Sequence, residues 1–303
     1  YLSYNAIDWM RLDNIEVDGY VVKITVGLKQ DTAYLSVNLP YTMKALRELT
    51  TSLYHYPYAA VSNLGQSYEG RDIPLFTITD SSVPASCKKT IYIQAAQHPG
   101  EMVGCHVVDT MIRFLVSEHS LAQSLRKNYI LHMVPMVCVD GCYNGSQDHS
   151  SGANLNRDWE EFNQPETRAV RDFLEGICKK GEKIALAIDM HNGWTDRAYN
   201  GDNITIFTEE SVGPEYRKRQ LDFINAVSAG CDYLMPGRMW ESDLSKKYLC
   251  KSYMYLEHNA LSFTFEFSRF DIWSRAEGKY VELTQEKVRK LAVNLLEVIA
   301  KTI

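Results

Sequence analysis

The stretch 90-TIYIQAAQHPGEMVGCH-106 begins as a strand and continues as a helix, and a histidine and a glutamate, His98 and Glu101, stand at the seam. The run 90–96 has the apolar character of a buried strand, and the spacing that follows predicts a helix over 102–117. The same alternation recurs along the chain. Strands are expected near 73-IPLFTIT-79, 129-YILHMVPMV-137, 184-IALAIDM-190 and 261-LSFTFEF-267, and helices near 41–54, 165–178, 214–228 and 284–302. Alternating β and α signals of this kind give an α/β sheet covered by helices. Before it, 20-YVVKITVGLK-29 and 33-AYLSVNL-39 alternate apolar and polar residues around 29-KQDT-32, which reads as part of a small antiparallel β module.

The composition narrows the function. A chain of 303 residues with 45% hydrophobic content can bury one large domain and an appendage. A net charge of -6 and a pI near 5.8 supply no basic stripe for a phosphate backbone, so nucleic acid is not an expected partner. No apolar run reaches the roughly 18 residues that cross a bilayer, so no membrane-spanning helix is expected. Seven scattered cysteines favour a reducing, cytoplasmic setting. Cys138 and Cys142 lie four apart but lack the second thiol pair that a metal site of that kind needs.

A hydrolytic zinc site needs three protein ligands and an open position. His98 and Glu101 supply two, with Glu101 at the positive end of a helix. His191 follows the strand 184–190 directly and reaches the same crevice at the carboxyl ends of the strands. The remaining candidates His55, His106, His119, His132 and His258 sit in helical, strand or aromatic surroundings and read as structural. Glu266 is a lone charge among Phe263, Phe265 and Phe267, and a carboxylate placed there suits proton transfer; an ion pair with Arg269 is the alternative. In the loop 152-GANLNRDW-159, Asn156 and Arg157 offer a carboxylate a hydrogen-bond donor and a planar guanidinium fork.

In order along the chain, 68-YEGRDIPLFTI-78, 98-HPGE-101, 134-VPM-136, 140-DG-141, 144-NG-145, 155-LNRDW-159, 190-MH-191 and 262-SFTFE-266 resemble the motifs of the zinc metallocarboxypeptidases, in their cytosolic-type branch. The resemblance covers roughly residues 40–303 and implies a mixed, mostly parallel twisted sheet flanked by helices. It implies one zinc ion held by His98, Glu101 and His191, Glu266 as general base and acid, and Asn156 with Arg157 gripping the terminal carboxylate of a peptide or protein tail. Because 39-LPYTMKALREL-49 is similar to a domain junction in that branch, residues 1–39 become the remainder of an N-terminal β domain and 40–303 the catalytic domain. An ungapped count back from Glu266 puts Lys251 on the floor of the side-chain pocket, which implies a preference for C-terminal Glu or Asp. Tyr248 takes the place of the pocket-closing phenol, and Tyr253 and Tyr255 fall to pocket wall or core.

One departure stands out. The family has an arginine shortly before the Asn-Arg pair that polarises the scissile carbonyl, and here no Arg or Lys occurs between Lys127 and Arg157. His149, Gln147 or an arginine from elsewhere, such as Arg238, is the expected substitute. The alternatives to a carboxypeptidase are a zinc amidohydrolase acting on N-acyl amino acids or cell-wall peptides, and a non-catalytic carboxylate-binding relative. The oligomeric state is not legible.

Overall fold

The computed structural model describes residues 1–13, 15–18, 21–146, 148–193 and 202–303. The chain opens with four short strands, β1 (Leu2–Ser3), β2 (Ile15–Asp18), β3 (Val21–Ile24) and β4 (Tyr34–Leu35). Helix α1 (Met43–Ser52) follows. Its buried Ala45, Leu46 and Leu49 share one face, and the Thr42 side chain caps it by accepting from Ala45 N at 3.2 Å, a device worth about 1 kcal/mol. Then come β5 (Ala59–Gln66), β6 (Asp72–Ile78), β7 (Lys89–Ala95), α2 (Val103–Leu115), α3 (Ser120–Asn128), β8 (Tyr129–Val134), α4 (Val139–Asn144), α5 (Pro165–Lys179) and β9 (Ile184–Asn192). The rest comprises β10 (Asn203–Phe207), α6 (Glu209–Gly230), β11 (Met239–Ser242), α7 (Cys250–His258), β12 (Leu261–Phe267), β13 (Asp271–Ser274), β14 (Lys279–Glu282) and α8 (Gln285–Thr302).

Among the described residues the main sheet has eight strands in the order β11-β10-β12-β9-β7-β8-β6-β5. Its centre, β12-β9-β7-β8, is parallel, β10, β6 and β5 each run antiparallel to an inner neighbour, and β11 is parallel to β10. The parallel strands read as continuous apolar runs because both their faces are covered. Val107, Val108 and Met111 of α2 are fully buried, and α2 and α6 both pack on α8. Period-two alternation sorts β9 between the layers. A side chain added at Gly104 of α2 would meet Met190 Cβ at 2.8 Å, so Met190 faces that helix. Asp189 and His191 therefore face the other way, toward α7 and the loop before α5.

Two expectations need correction. Residues 20–29 and 33–39 do not form a hairpin: β3 pairs antiparallel with β2, and β4 pairs with β1. Only two positions of sequence separate β2 from β3, a shorter loop to close than one across 29–32, which favours the nearer partner. The strand expected over 129–137 stops at Val134, since Pro135 has no N–H for the ladder. The first residues are tied to the main body, with Tyr1 and Leu2 buried and the Tyr1 hydroxyl donating to Leu283 O at 2.8 Å. Asn203, which opens the Asn-X-Thr glycosylation signal 203-NIT-205, is buried on β10, a position that the fold closes to a glycan.

Candidate metal centre and substrate crevice

After β7 the chain turns sharply, with Ala96 at φ 55 and Gly100 at φ 86, both in the left-handed region, before α2 begins. This turn carries His98 and Glu101 back over the ends of β7 and β9. His191, on the last turn of β9 toward its carboxyl end, completes the group. His191 Nδ1 lies 2.8 Å from Glu101 Oε2, His98 Nδ1 lies 3.2 Å from Glu101 Oε1, and the two Nδ1 atoms are 3.2 Å apart. Among the described residues this is the one cluster of three or more potential ligands, with all ligand atoms within 4.8 Å of one another.

The donor chemistry decides what fits between them. Asn154 Oδ1 accepts from Asn156 N–H at 3.0 Å, which fixes its amide, so His98 Nε2, 2.9 Å from that oxygen, carries the proton. Asp189 Oδ2 lies 2.7 Å from His191 Nε2, and an ionised carboxylate only accepts, so that nitrogen is protonated too. Both Nδ1 lone pairs then point at the Glu101 carboxylate, an arrangement of three electron-rich groups that needs a cation among them. Zinc bonds of about 2.0–2.2 Å in tetrahedral array separate ligand atoms by about 3.3 Å, close to the spacings found. The residues present fit a single zinc ion.

Without a cation among them the same groups share protons instead. Burial by itself raises the Glu101 carboxyl, but hydrogen bonds from protonated His191 and His98 outweigh it and hold the group well below the usual carboxylate range, as a bound cation would. Burial works against a charge on His191, and Asp189 followed by Glu101 more than reverses that, so its pKa is raised. Glu266 is the strand partner of His191 in the β12-β9 register, which places both side chains on one face. Burial pushes Glu266 up to about 7, with His191 opposing and Glu101 and Asp189 adding to the rise.

The other expected residues divide. Asn156 is buried, its Oδ1 accepting from Cys250 N–H at 3.2 Å and its Nδ2 3.3 Å from His191 Nε2. Arg157 is exposed, with its guanidinium 5.5 Å from the ring of half-buried Tyr248. Tyr253 is buried and Tyr255 packs edge-on against Tyr216, as wall and core. Lys251 lies in the first turn of α7 rather than in a loop and is 1% exposed. Its Nζ donates to Ser242 Oγ at 2.7 Å and Ile206 O at 3.1 Å and sits 4.1 Å from the Phe207 ring centre. Among the described residues no carboxylate reaches it, and burial, with Lys246 adding, pushes its pKa down to about 7.

Of the three substitutes for the missing arginine, His149 is tied up: its Nε2 meets Glu166 Oε1 at 3.0 Å and its Nδ1 meets Ser151 Oγ at 2.8 Å, in the interior. The Arg238 guanidinium lies 4.0 Å from Met235 Sδ. Gln147 falls outside the described residues. The ion pair with Glu266 that was the alternative role for Arg269 does not form: its Nη2 lies 3.5 Å from Glu101 Oε1 and its Nε donates to Gly193 O at 3.2 Å. Asp189 was missed altogether. Its signal was present, a lone carboxylate in an apolar strand two residues before His191 and hence on the same face.

Comparison with known proteins agrees with the geometry. Residues 46–277 match the Peptidase_M14 family model, described as zinc carboxypeptidase. Mouse cytosolic carboxypeptidase 6 is 28% identical over 269 residues, covering 84% of this chain and 49% of the relative. Mouse cytosolic carboxypeptidase 1 is 33% identical over 178 residues, covering 53% of this chain and 14% of the relative. The chain thus spans at most about half the length of these relatives. The crystal structure of a metallo-carboxypeptidase from Burkholderia cenocepacia superposes with a TM-score of 0.81 at 24% identity, over 99% of this chain and 79% of that one, which shows the shared fold. The chain belongs to the zinc carboxypeptidase family, and its similarity within that family is to the cytosolic carboxypeptidases.

Proposed function

We propose that this chain is a zinc-dependent carboxypeptidase that removes the last residue from peptides or protein tails, acidic residues in preference. The observation that carries this reading is the convergence of His98, Glu101 and His191 beside Glu266. His98, Glu101 and His191 would hold the zinc ion, which would supply Lewis acidity and a water of lowered pKa near neutral pH. Glu266 takes the proton of the attacking water on its carboxylate and delivers it to the nitrogen of the departing amine. Arg157 clamps the terminal carboxylate with two parallel N–H donors, and Asn156 contributes its second amide hydrogen. Tyr248 closes over the bound residue beside Arg157.

An exopeptidase built on that clamp depends on a free carboxylate. Turnover of a peptide is expected to vanish when its C-terminus is amidated, measured as amino-acid release; equal turnover of both forms would rule the reading out.

Lys251 sets the side-chain preference. An acidic side chain entering the pocket gives the buried ammonium the counter-charge that none of the described residues supplies, and a leucine does not. Lys251→Met is expected to erase the preference for Glu over Leu, by about 2 kcal/mol or more in kcat/KM, roughly thirtyfold. Stability moves the opposite way. The folded-state pKa of about 7 lies below the ordinary 10.5, so folding disfavours the proton, and this contribution grows more destabilising as pH falls from 10.5 toward 7. Lys251→Met should therefore melt higher than the wild type at pH 7. An unchanged Glu-over-Leu ratio would remove Lys251 from the pocket.

Residues 1–39 are proposed as the remainder of an N-terminal β domain, supported by the exposed apolar side chains Ile15, Val21 and Ile24, which the two-stranded β2-β3 ribbon leaves in water. A cytoplasmic setting is proposed from the relatives named cytosolic.

A further inference from the structure

Behind His191 runs a buried chain of hydrogen bonds that the reaction itself does not use. Trp159 Nε1 donates to Gln97 Oε1 at 2.7 Å, Gln97 Nε2 donates to Asp189 Oδ2 at 2.6 Å, and His191 Nε2 donates to the same oxygen at 2.7 Å. Gln94 Nε2 donates to the other oxygen, Oδ1, at 3.0 Å, while its own Oε1 accepts from the Tyr92 hydroxyl at 2.9 Å. Trp159, Gln94, Gln97, Asp189 and His191 are each no more than 2% exposed.

Every orientation in this chain is forced by a group with a single role. An indole nitrogen only donates, so Gln97 must turn its oxygen to Trp159 and its NH2 to Asp189. With three N–H donors on two oxygens, Asp189 is a satisfied carboxylate, and the described residues place no arginine or lysine on it. The positive partner left to it is His191 together with whatever cation His191 faces. Gln97 Nε2 and Asn156 Nδ2 also come within 3.4 and 3.3 Å of His191 Nε2, but both are donors, so neither can take that proton from Asp189. His98 has weaker support, the neutral amide oxygen of exposed Asn154.

We propose that Trp159, Gln97 and Gln94 hold Asp189 as a positioning residue that locks the proton of His191 on Nε2, fixes its Nδ1 lone pair toward Glu101 and His98, and thereby sets the affinity of the site for a divalent cation. The inference rests on the metal-site reading above. It also ties the loop of Asn156 and Arg157 to the metal ligand, since Trp159 belongs to that loop.

The test is zinc affinity of the metal-stripped protein by competition with a chromophoric chelator. Asp189→Asn is expected to weaken binding by about 10–100-fold. Trp159→Phe, which touches neither His191 nor the ion, is expected to weaken it by about twofold to tenfold, the worth of one hydrogen bond. The double variant should lose less than the product of the two, because both act through one chain. In the zinc-loaded protein, 15N shifts should report His191 protonated at Nε2 in the wild type and a mixture of tautomers in Asp189→Asn. Thr90→Val, which removes a buried hydrogen bond to Glu182 elsewhere on β7, serves as the control and should bind as the wild type does. If wild type binds zinc well and both Asp189→Asn and Trp159→Phe match it within twofold, the inference is wrong and the metal-site reading stands. If the wild type binds no better than His191→Ala, both fall together.

Discussion

Glu266→Gln is expected to lower kcat on a C-terminally acidic peptide by about 10²–10⁴-fold while changing KM little, the size of a lost general base. Glutamine keeps the shape of the side chain and its place beside His191 but accepts no proton. The acid limb of the wild-type profile follows from the same group. Burial raises Glu266 to about 7 in the metal-free crevice, and a dication held by Glu101 and the histidines lowers it. Only the ionised form works as a base, so kcat/KM should fall tenfold per pH unit below an apparent pKa at or under about 7. A profile that falls away already below pH 8.5, or a glutamine variant within threefold of wild type, would assign the proton transfer elsewhere.

His191→Ala is expected to have the second large effect, on metal and fold together. Removing a residue that only hydrogen-bonds a ligand typically costs about 10–100-fold in metal affinity, so removing the ligand itself should cost more than about 100-fold, and turnover should fall to that of chelator-treated wild type. The variant also strips Asp189 of its imidazole donor in the interior, which should destabilise the metal-free protein by about 1–3 kcal/mol. His98→Ala should lose metal similarly but leave the metal-free melting temperature nearly unchanged, since His98 is 27% exposed in its side chain and its partner is a neutral amide. Equal melting of the two variants would contradict the unequal support described for the two histidines. Isothermal titration with zinc and thermal unfolding of the stripped proteins read both effects.

What the sequence made legible follows from burial. The runs 73–79, 90–96, 184–190 and 261–267 are central or near-central strands covered on both faces, so their apolar character survives any register. Polar residues at their carboxyl ends, His98, His191 and Glu266, therefore stood out against a clean background. Strand β5, 59-AAVSNLGQ-66, lies at the sheet edge and is half exposed, and its small and polar residues give no period to read. Lys251 was placed by an ungapped count alone, because 242-SDLSKKYLCK-251 gives no helical period to read, and α7 begins only at Cys250. The hydrogen-bond chain behind His191 was beyond reach for another reason. Gln94 meets Asp189 through strand register across 95 positions, and Gln97 meets Trp159 across 62, pairings that exist only after the fold brings β7, β9 and the 152–159 loop together. His149 shows the converse: its loop position suggested a free donor, and packing turned it inward to Glu166.

The most direct test of the central claim is mass spectrometry of peptides that differ only in their last residue, incubated with the zinc-loaded protein and with a chelated sample. The account predicts release of single C-terminal residues, fastest for Glu and Asp, abolished by chelation and restored by zinc. Internal cleavage, release that survives chelation, or no release from any peptide by a protein shown to bind zinc would contradict it.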